Sequence, residues 1–386
     1  MVSKKIIRTL SVIVIIFLLI SMAAAGFYFG FNYVLSQNAR FERLSEVFGG
    51  AQNGTGIDKD TPGAVEIVIP RAADTKRIAE LLEDKGLIKN IFMFTVLSKF
   101  NGFDGSYMAG THFVLRDMGY DEIMYVLCQN PQAVRVTFPE GLSYREIKTR
   151  MREAGVRFDE AVIDSLVRNP QLFLDYVFIS GIEMRDGRDW LLQGYLFPDT
   201  YEFDINTDEE TIIRTFLNNT ERKLVDEYYE RAEHIGMSMD EVLTMASLIQ
   251  IECEKVEEMR TVSGVFYNRL EADMAFGADP TINYLRKEAG MDVKLWLSTE
   301  EIYELDSPYN TYLYKGLPPG PICSPGEFAI RAALWPETHP YKYFVARGDG
   351  YHAFAERLDQ HERNIAKYRE LAEAGETEPT QDDREE

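Results

Sequence analysis

The sequence predicts an α+β protein held by a single N-terminal transmembrane helix, with small β-α units first and a mixed, largely helical domain after them. Three observations carry this expectation. One long apolar run stands near the amino terminus, a strand-Pro-turn-helix pattern recurs at a fixed offset, and helical patterning dominates from about Asp159 onward. A chain of 386 residues is long enough for two or three domains with a substantial core. Its formal net charge of −22, from 63 acidic against 41 basic residues, repels phosphate backbones and argues against a nucleic-acid partner.

The elements follow in order. Residues 1–9 are basic, and no charged residue occurs between Arg8 and Arg40. Residues 10–34 are almost continuously apolar or small, enough to cross a bilayer with some tilt. Lys4, Lys5 and Arg8 precede the run, so the positive-inside rule places the amino terminus in the cytoplasm and the remaining mass outside the cell membrane. A signal peptide cleaved near Ala23-Ala24-Ala25 is the competing reading. The run continues through Phe27, Tyr28, Phe29 and Phe31, beyond a signal core, which favours an uncleaved anchor. No cysteine follows before Cys128, which excludes a lipoprotein. Cys128, Cys253 and Cys323 are too scattered for a disulfide framework or a CxxC site, and three free buried thiols are expected.

Residues 35–64 read as a linker, rich in Gly, Asn and Asp toward their end. Val65–Ile88 and Val134–Phe158 then form an internal repeat. Pro70 aligns with Pro139, Ile78 with Ile147 and Gly86 with Gly155, at a constant offset of 69 residues. In each copy an alternating strand ends at Pro, and an amphipathic helix is closed by Gly. Met108–Leu127 reads as a further strand, turn and helix. Small units of this kind resemble LysM-like modules, which bind N-acetylglucosamine-containing glycans, and 65–133 is assigned to one such module. Strand-Pro-turn-helix also occurs in many unrelated folds, so a purely structural role stays open. Residues 134–370 form the larger domain, with the second repeat-like unit, 134–158, at the junction. Within it Gln193–Phe203 is expected as an aromatic loop, Ser238–Leu270 as a helix pair, Ser307–Tyr351 as loop and strand, and Ala355–Glu370 as a last helix. The acidic tail 371–386 has almost nothing to bury and is expected to be disordered.

One helix carries a candidate for chemistry. Ser238-Met239-Asp240-Glu241 is a capping box. Val242, Met245, Ala246 and Ile249 then form an apolar stripe that Glu252 extends, while Gln250 and Glu254 lie on other faces. A carboxylate on a buried face needs a partner or a task. Desolvation would keep it protonated near neutral pH, as a general acid requires. An ion pair with Arg260 or Arg269, or an exposed helix end, accounts for the same residue structurally.

The neighbours narrow the choice. Ala246-Ser247-Leu248-Ile249-Gln250-Ile251-Glu252 is followed by Glu258-Met259-Arg260, Val265-Phe266-Tyr267-Asn268-Arg269-Leu270, Asp279-Pro280-Thr281-Ile282-Asn283-Tyr284, Ser307-Pro308-Tyr309-Asn310-Thr311-Tyr312 and Gly316-Leu317-Pro318-Pro319-Gly320-Pro321. Gly194-Tyr195-Leu196-Phe197-Pro198-Asp199-Thr200-Tyr201 lies upstream, and His352, Phe354 and His361 lie downstream. This ordered set resembles the endolytic murein transglycosylase family (MltG, or YceG-like), over essentially the whole chain. The resemblance implies a catalytic Glu at Glu252 and a nonhydrolytic cut of the bond between N-acetylmuramic acid and N-acetylglucosamine. Its partners would be peptidoglycan glycan strands, the membrane and cell-wall synthases. The chain departs from many members at Gln250 and Gln193, where Glu is common. Gln250 favours Glu252 as the essential acid, whereas Gln193 leaves a supporting carboxylate absent.

A single acid suits that chemistry, because ordinary glycosidases need two carboxylates and an internal nucleophile needs neither nucleophile nor base from a second one. Asp279 is the best second carboxylate, although Asp before Pro-Thr is also a common turn opener or cap. Asn268, Arg269, Thr281, Tyr284, Tyr309, Asn310 and Tyr312 are candidates to line a sugar groove by stacking and amide hydrogen bonds, and each also suits a core or loop role. The five histidines show no paired ligand spacing, and no P-loop, GxGxxG or GxSxG occurs, so no metal or cofactor is implied. Two rivals stay open: a muramidase using Glu252 with Asp279, and a non-catalytic wall-binding scaffold that recruits synthases.

Overall fold

The structure is a computed structural model that describes residues 13–30, 56–294 and 297–374. It is a mixed α+β protein, about half helical. Helix α1 spans Ile13–Gly30, with a mean hydropathy of 2.4 and no part buried by protein; it is long and apolar enough to cross a membrane. The basic residues on which the expected orientation rests, and the acidic tail from Gly375, lie outside the described residues, as does most of the expected linker.

The remaining elements fall into two compact units, 1–133 and 134–386. The first holds β1 (Ala64–Ile69), α2 (Thr75–Asp84), α3 (Ile91–Phe100), β2 (Gly110–Leu115) and α4 (Tyr120–Leu127). The second begins with β3 (Ala133–Thr137), α5 (Tyr144–Glu153), α6 (Glu160–Arg168) and α7 (Val177–Ser180). After β4 (Thr200–Asp204) come α8 (Glu209–Lys223), α9 (Asp226–His234), α10 (Met239–Glu252), α11 (Met259–Glu271), α12 (Asp279–Glu288), α13 (Thr299–Glu304) and α14 (Glu327–Leu334). The hairpin β5 (Tyr343–Ala346) and β6 (His352–Ala355) precedes α15 (Leu358–Ala374).

The internal repeat is visible in the backbone. Helices α2 and α5 superpose in sequence at the 69-residue offset. Asp74 caps α2 by accepting from the Arg77 N–H at 2.7 Å, and Ser143 caps α5 through a capping box with Glu146. Both copies end on a glycine of positive φ, Gly86 and Gly155, which only a residue without Cβ adopts freely. Ile78 and Ile147 are buried at equivalent positions. The strands then part company. β1 pairs antiparallel with β2, from Ala64 opposite Leu115 to Ile69 opposite Gly110. β3 pairs with β4, so the second copy is part of the larger unit.

Two features differ from the sequence expectation. Helix α14 lies inside a stretch read as loop and strand. Its eight residues between Pro325 and Pro336 are too few to display a period, and tertiary packing holds it. Small side chains at Ala329, Ala332 and Ala333 let it pack closely on α10. Helix α10 itself is not one-sided. Every residue from Val242 to Ile249 is buried, because α9, α11, α12 and α14 surround it. All three cysteines are free, Cys253 and Cys323 buried and Cys128 half-buried.

The start of α10 is fixed by a buried ion pair. Arg188 grips Asp240 with both Nη atoms, at 2.6 and 2.8 Å, and the Tyr195 hydroxyl donates to the same carboxylate at 2.7 Å. Arg188 Nη1 also donates to the Pro319 carbonyl at 3.3 Å. Gly320 packs flat on the guanidinium, where a Cβ would sit 2.5 Å from Nε. The end of α10 is fastened by the following segment. The Ile322 N–H donates to Ser247 Oγ at 3.0 Å and the Gly326 N–H to Gln250 Oε1 at 2.8 Å. These contacts explain why Gly and Pro recur across 316–326: the chain runs there in close contact with a rigid helix.

Candidate active site

Glu252 is the last residue of α10, and Cys253 after it turns extended. Its side chain is half-buried, and no hydrogen bond or ion pair among the described residues engages its carboxyl. Desolvation by the surrounding protein, then the negative charge of Asp279, push its pKa from the ordinary 4.5 up to about 8, against a smaller opposing pull from Arg269. The carboxyl end of a helix is also an unfavourable place for a negative charge. The group is therefore protonated at neutral pH and sits next to the two charges that tune it.

Those two charges are each held by other partners. Asp279 opens α12, with Pro280 next to it in the first turn. Its Oδ1 accepts from the Tyr312 hydroxyl at 2.5 Å. Burial and the adjacent Asp279 drive the Tyr312 phenol well above its ordinary range, so it remains a donor. Tyr312 in turn packs against Gly277, which has a φ of 54° and would bring a Cβ to 3.3 Å from the ring. Arg269, from α11, donates Nε to the Lys342 carbonyl at 2.6 Å and Nη1 to the Phe276 carbonyl, and lies under the rings of Tyr343 and Phe344. Desolvation lowers its pKa, partly offset by Glu252. Thus Arg269 is spent on carbonyls and rings. It acts on Glu252 as a nearby positive charge, not as an ion-pair partner. Arg260 faces elsewhere, donating to the Trp335 carbonyl at 2.9 Å.

A family model described as the YceG-like family matches residues 67–367. The chain belongs to the YceG-like family. Among curated relatives, an "endolytic murein transglycosylase" of Bacillus subtilis is 32% identical over 325 residues, covering 81% of this chain and 87% of that one. One of the same name from Streptococcus pneumoniae is 28% identical over 370 residues, 90% of this chain. The chain spans 63% of the length of that relative. A crystal structure of a YceG-like protein from Listeria monocytogenes superposes with a TM-score of 0.54 at 29% identity, covering 78% of this chain and 98% of that one.

Within this YceG-like unit the other candidate residues have clear positions. The Asn268 amide donates to the His339 and Tyr341 carbonyls at 2.8 and 2.7 Å, pinning the chain ahead of β5. Thr281 is fully buried, its hydroxyl donating to the Ala278 carbonyl at 2.7 Å beside Thr311. Asn310 is fully buried and donates to the Ile302 and Leu305 carbonyls. Tyr284 and Tyr309 pack together with ring centroids 5.0 Å apart, both buried. Asn268, Thr281 and Asn310 thus donate to carbonyls of their own chain, and Tyr284 and Tyr309 pack on each other. Of the remaining candidates, Asp279 and Arg269 shift Glu252 by their charges, and Tyr312 holds Asp279 and feels the charge of Glu252. His352 serves the scaffold: its backbone N–H and Nδ1 meet Glu258 at 3.0 and 2.9 Å.

Two contributors carried little sequence signal. Arg188 and Asp240, 52 residues apart, lock the loop bearing Pro319 to α10. A cavity of about 220 Å³ is lined by Ile251 and Pro280, the chain neighbours of Glu252 and Asp279, together with Tyr284, Lys287, Ile322 and Cys323. Lys287 at its edge pairs with Glu146 of the repeat helix α5 at 2.8 Å.

Proposed function

We propose that the chain is an endolytic peptidoglycan lytic transglycosylase and that Glu252 is its single acid/base. The observation that carries this reading is a carboxyl at the end of α10 with no partner of its own among the described residues, which burial and the charge of Asp279 push up to about 8. The names of the relatives support the substrate class. In the first half-reaction Glu252 donates its proton to the glycosidic oxygen between N-acetylmuramic acid and N-acetylglucosamine, and the bond from C1 to that oxygen breaks. Positive charge develops at C1, and Glu252, now a carboxylate, faces it. In the second half-reaction the muramyl C6 hydroxyl attacks C1 while Glu252 takes back its proton. The product carries a 1,6-anhydro ring, no water enters, and the enzyme returns to its starting state. The nucleophile is already in the substrate, so proximity replaces the second carboxylate of a hydrolase.

Asp279 and Arg269 set the acid's strength from opposite sides. Tyr312 holds Asp279 so that its charge faces Glu252 without reaching it. Asn268, Thr281, Tyr284, Tyr309 and Asn310 shape the groove walls, and the cavity beside Ile251 continues the groove along the strand. The β-α-α-β order of the first unit is compatible with a LysM-like glycan-binding module. Helix α1, long and apolar enough to span a bilayer, would hold the enzyme at the cell membrane, where it cuts nascent strands near the synthases that make them. Glu252→Gln tests the assignment. Full cleavage of isolated sacculi by the Gln variant would refute it, and loss of at least a hundredfold with an unchanged fold is the expected result.

A further inference from the structure

Helix α3 sets a second apolar face toward solvent. Phe94 and Ser98 point into the core of the first unit. Phe92, Met93 and Val96 point the other way and are 74%, 46% and 38% exposed. At 100° per residue the three fall within an arc of about 100°, and Phe100 continues the same stripe. Scattered exposed apolar residues are ordinary, but a stripe of large ones on a single helix marks an interaction surface.

The charge around that stripe is equally one-sided. From Lys85 to Phe103 the charged residues are Lys85, Lys89 and Lys99, with no acid, in a chain that carries 63 acidic against 41 basic residues. Glu83 and Asp84 stand before Lys85 at the end of α2, and of the acids after the helix Asp104 accepts from the Thr75 hydroxyl at 2.5 Å and Asp121 from the Asn101 amide at 2.6 Å. Aromatic and aliphatic side chains ringed by lysines are the composition of a helix that lies in the plane of an anionic lipid surface. Tethering favours the same partner. Gly56 is 26 residues after the end of α1, a span of at most about 90 Å when fully extended. A bilayer holding α1 is thus always within reach, at high effective concentration.

We propose that α3 docks on the outer surface of the membrane that α1 spans, with Phe92, Met93 and Val96 entering the headgroup boundary and Lys89 and Lys99 contacting anionic lipid. This rests on α1 being an anchor and is independent of the role of Glu252. It would fix the first unit against the bilayer instead of leaving it free on its tether.

The test uses the full chain in vesicles of mixed phosphatidylglycerol and phosphatidylethanolamine, with a photoreactive benzoylphenylalanine in place of Phe92 or Val96. Leu19 in α1 is the positive control, and Met184 of the second unit, 79% exposed, is the negative one. Lipid adducts at Phe92 and Val96 several-fold above those at Met184, falling several-fold with Lys89→Glu and Lys99→Glu together, are expected. Adducts to another protein chain in place of lipid overturn the proposal. So do lipid adducts no more frequent than at Met184 while Leu19 labels lipid. If Leu19 also fails to label lipid, the anchor reading falls and the proposal falls with it.

Discussion

Replacing Glu252 by Gln keeps the shape of the side chain and removes only its ability to ionise, so it isolates the cost of holding this acid in place. The folded protein holds the carboxyl at about 8 against 4.5 in the unfolded chain. Between those values the folded state binds more protons than the unfolded one, so the contribution of Glu252 to stability is fully present below 4.5 and is lost as pH rises toward 8. Each pH unit between the two values corresponds to about 1.4 kcal/mol, which sets a ceiling of roughly 5 kcal/mol on the loss. The side chain is half-buried, and solvent screening reduces this to about 1–3 kcal/mol. Gln carries no such penalty. The variant should therefore unfold at nearly the wild-type temperature at pH 4.5 and later than wild type at pH 8, by roughly 3–10 °C for a unit of this size. Differential scanning calorimetry of the transition of the larger unit, at several pH values, reads the difference. A gap that stays constant with pH, or that favours wild type as pH rises, would refute the account of Glu252 as an acid held neutral by its surroundings. A stabilised but inactive variant is also the signature of a residue kept for chemistry against the interest of the fold.

Further predictions concern the same site. Activity should fall as pH rises through about 8, where Glu252 loses its proton, and Asp279→Asn should move that alkaline limb to lower pH by roughly one unit, because it removes a charge that raises the acid; an unmoved limb in the pH–rate profile would separate Asp279 from Glu252. Tyr312→Phe frees Asp279 from its hydroxyl partner and should lower kcat by about tenfold with little change in melting temperature. Arg188→Met strands Asp240 without its buried partner and should cost about 3–5 kcal/mol in denaturant unfolding, with loss of activity following the displaced loop.

Local features of the fold were legible where a short-range rule acts alone. The capping box at Ser238, the glycines ending α2 and α5, and the repeat that joins them are all set by neighbours a few residues apart, as are the caps at Asp74 and Ser143, which the sequence reading passed over. The apolar run of α1 is a matter of length and composition. What the sequence hides is set by distant partners. Helix α14 exists because its alanines fit against α10, and α10 is buried all round because four helices close on it. The stripe that singled out Glu252 was only part of a helix with no exposed middle. Its position at the last turn, not the stripe, leaves its carboxyl reachable. The likeness of Asn268, Thr281 and Asn310 to sugar-binding residues was likewise ambiguous in sequence, since amides and hydroxyls serve a ligand or a backbone carbonyl equally well. Here each donates to a carbonyl of its own chain. That Tyr312 holds Asp279 depends on the loop before the Pro-rich turn folding over α12, and no local pattern announces it.

The central claim is that Glu252 works without a water-activating partner, and the product ends test it most directly. Sacculi digested by the full chain in water enriched with oxygen-18 can be analysed by mass spectrometry. The account predicts muramyl ends one water lighter than reducing ends and free of the heavy isotope, absent when Glu252→Gln replaces wild type. Reducing ends carrying oxygen-18 would contradict it and assign Asp279 the part of a hydrolase's second carboxylate.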